Sequence, residues 1–177
     1  MIVLRVPSEF LHPLFYREGE TIETTEFAPF PLMMKKFYFY YDIIACKENL
    51  ENEPWNDIEQ SIPAVWQLWN EEKEKLDLLF QNRDRKAARE PMIRALSYFL
   101  ACLYWLNETR VKSIVSWERE VNTLQMKPVN CVERLQFIFA KCDLYHSFIQ
   151  LGELFAELTK LYYKNLAIKK KGLSHQS

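Results

Sequence analysis

The most regular hydrophobic pattern in this chain lies toward its C-terminus. There Leu144, Phe148, Leu151, Phe155, Leu158 and Tyr162 recur at alternating spacings of four and three, and Leu154 and Leu161 widen the stripe. That rhythm stacks side chains on one face of an α-helix, and it predicts a long helix capped by Asp143 that runs to about residue 167. A second amphipathic stretch carries Ile62, Val65, Trp66, Trp69, Leu76, Leu79 and Phe80, with Glu71, Glu72, Glu74, Lys75 and Asp77 assigned to the opposite face. Its start is read at Ser61-Ile-Pro63, a hydroxyl cap followed by a first-turn proline, and its end near Arg83. Between these two helices, only Arg94 and Ser97 are plainly polar from Met92 to Leu106. A helix that is apolar on nearly every side belongs at the centre of a bundle. It is predicted from about Pro91, or as early as Asp84, to Asn107.

Shorter elements fill the gaps. Val111, Ile114, Val115, Val121 and Leu124 predict a modest amphipathic helix that stops before Pro128. Asn130, with Glu133 three residues on, reads as a capping box that opens a helix bearing Leu135, Ile138 and Phe139. The run from Leu32 to Cys46 is short and aromatic-rich, so helix and strand both fit. A helix starting near Pro31 is the favoured reading. Residues 1–31 contain Pro7, Pro13, Pro29 and Pro31 and read as an irregular arm laid on a helical domain of residues 32–167, with residues 168–177 as a basic, flexible tail.

The picture is therefore all-α: a single compact bundle of five to seven helices with an irregular N-terminal arm. Composition agrees. Three glycines among 177 residues are too few for a hairpin-rich fold, and no glycine-rich phosphate-binding motif is present. With 49% hydrophobic residues, a chain of this size builds its core without a metal or disulfide staple. The four cysteines form no CxxC pair and read as reduced structural residues. The longest apolar run, Ala95–Leu106, is about twelve residues, well short of the roughly 20 that a membrane span needs. A cytoplasmic protein is expected, with no membrane association.

A formal net charge of −1 provides no global attraction to nucleic acid, so such a role has to come from local patches. Two exist: Arg83, Arg85, Lys86 and Arg89, and the tail residues Lys169, Lys170 and Lys171. For metal chemistry, Glu71, Glu74 and Asp77 share one helical side but lack a second acidic pair on a later helix, and alternating lysines make them read as a solvated face. His146 aligns with Gln150, Glu153 and Glu157, which read as a polar flank and not as metal ligands. No metal, cofactor or catalytic residue is assigned.

Several short motifs resemble those of the small YpoC-like bacterial proteins. They are His12-Pro-Leu-Phe-Tyr16, Pro54-Trp55, Ile62-Pro63 with Trp66, Trp105-Leu-Asn107, Lys127-Pro-Val-Asn130 running into Glu133-Arg134-Leu135, and Tyr145-His-Ser-Phe148 with Gln150-Leu151. The likeness extends from about residue 10 to 165. It implies a helical cytoplasmic protein and, because such genes often neighbour those of DNA replication or repair, a setting in DNA metabolism. It brings no catalytic residue. Within the motifs, Asn107, Asn130, Glu133 and Arg134 are the candidate binding residues, and Arg134 is the one that a capping role leaves unexplained. The leading functional expectation is a non-enzymatic factor that binds another protein. A nucleic-acid-associated factor and a carboxylate-based metal hydrolase are the alternatives.

Overall fold

A computed structural model describes residues 1–25 and 28–176; residues 26–27 of the arm and residue 177 of the tail lie outside the described residues. Helices dominate. In chain order the elements are strand β1 (Ile2–Arg5), strand β2 (Thr21–Thr24), α1 (Tyr40–Ile44), α2 (Ile58–Gln81), α3 (Arg85–Leu106), α4 (Trp117–Thr123), α5 (Cys131–Ala140) and α6 (Tyr145–Ser174). Short 3-10 turns at Ser8–Phe10, Leu32–Lys35 and Pro54–Asn56 lead between them.

The central helix is α3. From Ala95 to Leu106 every side chain is buried, as the nearly uninterrupted apolar run requires. Asp84 accepts a hydrogen bond from the Ala87 amide at 3.1 Å and starts the helix at the earlier of the two predicted positions. Pro91 therefore sits inside α3. Helix α2 packs antiparallel along α3, and α6 runs antiparallel alongside α2 and touches α3 through Phe155 and Phe99. The α2–α6 contact is made by rings. Trp69 stacks on Phe155 (centroids 4.4 Å apart, 8° between planes), Trp66 meets Tyr162 edge-on at 4.9 Å, and Phe80 stacks on Phe148 at 5.3 Å.

Several boundaries differ from the sequence reading, each for a physical reason. Helix α2 begins at Ile58, three residues before Ser61, because Pro54–Asn56 already turns the chain into it. The Ser61 hydroxyl donates to the Pro54 carbonyl at 2.7 Å and does not cap. Pro63 consequently lies within the helix, where the carbonyl it leaves unbonded belongs to the exposed residue Glu59. The helix expected over 111–124 shrinks to Trp117–Thr123. Its first residues are captured elsewhere: the Val111 amide donates to Asp42 at 2.7 Å and the Ile114 amide to the Glu9 carbonyl at 2.7 Å. Asp143 does not cap α6, since its carboxylate pairs with Arg85 at 3.0 Å. The capping box at Asn130 is also absent. Asn130 adopts a left-handed backbone (φ 52°), not the extended one that a capping side chain needs, and makes no side-chain cap bond. Helix α6 continues through the basic stretch as far as Ser174.

The arm contains more regular structure than its prolines suggest. β1 and β2 pair antiparallel, with Ile2 opposite Thr24 and Arg5 opposite Thr21. The ambiguous 32–46 stretch is helical: a 3-10 turn, then α1. Phe10, Phe15, Phe39 and Ile43 bury the arm and α1 against the bundle, with Phe15 edge-on to Phe39 at 5.0 Å.

Candidate functional site

The four polar residues singled out from sequence separate into different roles. Asn107 ends α3, and its amide group grips the loop after α4. Its Nδ2 donates to the carbonyls of Leu103 and Met126 at 2.8 Å each, and its Oδ1 accepts from the Met126 amide at 2.9 Å. Asn130 and Glu133 are exposed. Arg134 reaches from α5 to α6, where Nε donates to Gln150 at 3.0 Å and Nη1 pairs with Glu157 at 2.9 Å. Glu153 stands 3.7 Å from Nη2, and the Val129 carbonyl accepts from Nη1 at 3.2 Å. The polar flank of α6 is thus the docking face for Arg134. His146 lies apart from it, with its ring edge-on to Phe137 at 5.2 Å.

The basic patches are partly engaged inside the molecule. Arg85 holds Asp143 and Arg89 donates to the Cys142 sulfur at 3.2 Å, so this segment ties the start of α3 to the α5–α6 turn. Lys169 pairs with Glu108 at 2.6 Å, while Arg83, Lys86, Lys170 and Lys171 are exposed. Of the acidic trio, Glu71 pairs with Lys35, and Glu74 and Asp77 are exposed. Among the described residues, no group of three or more His, Cys, Asp or Glu side chains is placed to hold a metal ion.

Two buried polar centres escaped the sequence reading. Asp42 on α1 is fully buried; its Oδ1 accepts from Trp105 Nε1 at 3.0 Å and from the Val111 amide, and its Oδ2 has no hydrogen-bond partner. Burial raises its pKa to about 7 against the lowering effect of those two bonds. The only hint in the sequence is a single acid within an aromatic and aliphatic run. The second centre is Glu72, which is 3% exposed and so does not belong to the solvated face to which its neighbours assigned it. It accepts from Arg94 Nε at 2.7 Å; Lys75, at 3.9 Å from the other oxygen, is too far to hydrogen-bond to it. Its position was legible in principle, because Leu68, Glu72 and Leu76 fall at i, i+4 and i+8 on the buried stripe. The Tyr98 hydroxyl nearby is buried without a partner, and burial followed by the Glu72 charge pushes its pKa up. Both centres are interior struts between helices.

A groove of about 310 Å³ lies between α2 and α6. Trp69 and Phe148 form its floor, with Lys73 and Asp77 on one wall and Ile149, Gly152, Glu153 and Ala156 on the other. Tyr145 (59% exposed) extends it at one end, and Tyr163 (60% exposed) extends it at the other through its contact with Trp66. The small residues Gly152 and Ala156 leave the α6 backbone accessible. Burial pushes the thiols of Cys102, Cys131 and Cys142 up, Cys131 to about 12, which makes these three poor nucleophiles.

Comparison with known proteins agrees with the motif likeness. The profile of the YpoC-like protein family matches residues 59–170. A Bacillus subtilis (strain 168) protein named "uncharacterized protein YpoC" is 34% identical over 131 residues, covering 74% of this chain and 79% of its own length. No solved structure matches. The matched region runs from α2 through most of α6, including both groove walls and the Glu72–Arg94 pair, and on these grounds the chain belongs to the YpoC-like protein family.

Proposed function

We propose that the chain is a non-enzymatic, cytoplasmic docking factor that receives a partner helix in the α2–α6 groove. The observation that carries this reading is the unburied apolar content of α6. Tyr145, Ile149 and Tyr163 stay 39–60% exposed along a helix whose other face already fills the core. Aromatic residues held half-exposed on rigid helices are the side chains that anchor protein interfaces at low entropic cost. A helix laid into an apolar groove between two others is a recurrent mode of recognition. Shallow depth and mixed-sign walls suit a protein surface better than a small polar substrate. The internal engagement of Arg85, Arg89 and Lys169 leaves fewer cations to grip a phosphate backbone. No described helix is long and apolar enough to cross a membrane, which is consistent with the proposed compartment.

The test is capture from cells with the tagged full chain, its Ile149→Lys variant and, as a control outside the groove, Arg119→Glu. Docking predicts bound protein that disappears with Ile149→Lys and survives Arg119→Glu. Capture that is identical for all three removes the groove from the account.

A further inference from the structure

The exposed stripe of α6 has a finer order. Tyr145, Ile149, Gly152, Ala156, Thr159, Tyr163 and Leu166 follow spacings of four and three throughout, the a/d rhythm of a helix that packs against another helix over about 32 Å. It is a second stripe, offset from the one that fills the core. Tyr145, Ile149, Ala156 and Tyr163 are exposed, and Gly152, Thr159 and Leu166 are half-buried. Thr159 spends its hydroxyl on the Phe155 carbonyl of its own helix at 2.8 Å, which leaves its methyl group for the stripe.

Gly152 is the least explained residue of the stripe within one molecule. It has helical backbone, and a β-carbon added there would meet nothing within 4 Å. Inside a long helix a glycine is destabilising relative to alanine, and here no internal contact requires it. The flank beside the stripe carries Glu153 and Lys160, one heptad apart and both exposed, Glu153 only loosely engaged by Arg134 at 3.7 Å and with 56% of its side chain still open to solvent. In an antiparallel helix pair these flanking positions face their own counterparts, so one acid and one base per helix form two crossed ion pairs between identical copies.

We propose, building on the docking reading, that the partner helix is α6 of a second copy of this chain, packed antiparallel. The signs choose the register. Setting Glu153 opposite Lys160 of the partner brings Ile149 against the partner's Leu166, Ala156 against the partner's Thr159 and Tyr163 over the partner's Gly152. The glycine then provides the space that the Tyr163 ring occupies. Sliding one helix back by a heptad would set Glu153 against its own counterpart, which like-charge repulsion disfavours. On α2, Lys73 and Asp77 also alternate in sign, so the groove as a whole favours neither an acidic nor a basic partner and matches its own mirror arrangement.

Sedimentation equilibrium of the full chain tests this, with circular dichroism to verify folding of each variant. A dimer is expected, weakened at least about tenfold by Gly152→Leu, which fills the ring's space. Lys160→Glu should weaken it similarly, and Lys160→Glu combined with Glu153→Lys should restore it to within about threefold, because the crossed pairs re-form with exchanged signs. A dimer indifferent to Gly152→Leu, or one that the double exchange does not restore, overturns the proposal. A monomer that still shows capture dependent on Ile149 overturns self-association but leaves the docking reading standing; a monomer without such capture removes both.

Discussion

Trp105 and Asp42, 63 residues apart, meet in the core through a 3.0 Å hydrogen bond from the indole N–H to a carboxyl oxygen that also accepts the Val111 amide. One side chain thereby joins α1, the central helix and the chain that leaves it. It costs the protein a carboxylate in a dry environment, with its second oxygen unpartnered.

This arrangement makes stability depend on pH. Burial raises the folded-state pKa of Asp42 from 3.8 to about 7, so between those values the folded protein holds a proton that the unfolded chain has released. The contribution of this group to stability is fully present below 3.8 and is lost as pH rises to about 7. Asp42→Asn keeps an acceptor for Trp105 and stays neutral. Its urea stability relative to wild type should therefore improve by a few kcal/mol, on the order of magnitude, from pH 4 to pH 7 and level off above. A difference between the two proteins that is flat across this range would show that the carboxyl is ionised throughout.

The Glu72–Arg94 pair is buried on the carboxylate side and 20% exposed on the guanidinium side. Arg94→Met alone leaves an uncompensated buried carboxylate and should cost about 3–5 kcal/mol. Adding Glu72→Met should recover much of that loss, since two apolar side chains of similar length remove the desolvation penalty together. Chemical denaturation of the two single variants and the double variant closes the cycle. Additive losses would mean that the two residues act independently.

Asn107 holds the loop at Met126 as a strand neighbour would, donating to its carbonyl and accepting from its amide. Asn107→Ala orphans both groups and should cost about 1–3 kcal/mol. The Met126 amide should exchange with solvent markedly faster in hydrogen-exchange measurements, while amides at the centre of α3 change little. Asn107→Asp is expected to fare no better, because it sets a carboxylate against the Leu103 and Met126 carbonyls.

What the sequence by itself determined is the helical identity of the bundle. The apolar repeats of α2 and α6 and the uninterrupted run of α3 are local patterns, and a stripe at three-to-four spacing has to find another surface wherever it lies in the fold. The family, too, was legible in short motifs. Tertiary structure decided everything that depends on partners distant in the chain. It captured the amides of Val111 and Ile114 and so shortened α4, paired residues 2–5 with 21–24 as a ribbon, drew Asp143 to Arg85 and Arg134 to Glu157, and buried Asp42 and Glu72. The physical reason is the range of the forces. Helix periodicity is written by neighbours one turn away, whereas desolvation and hydrogen-bond satisfaction are set by whichever element arrives from elsewhere.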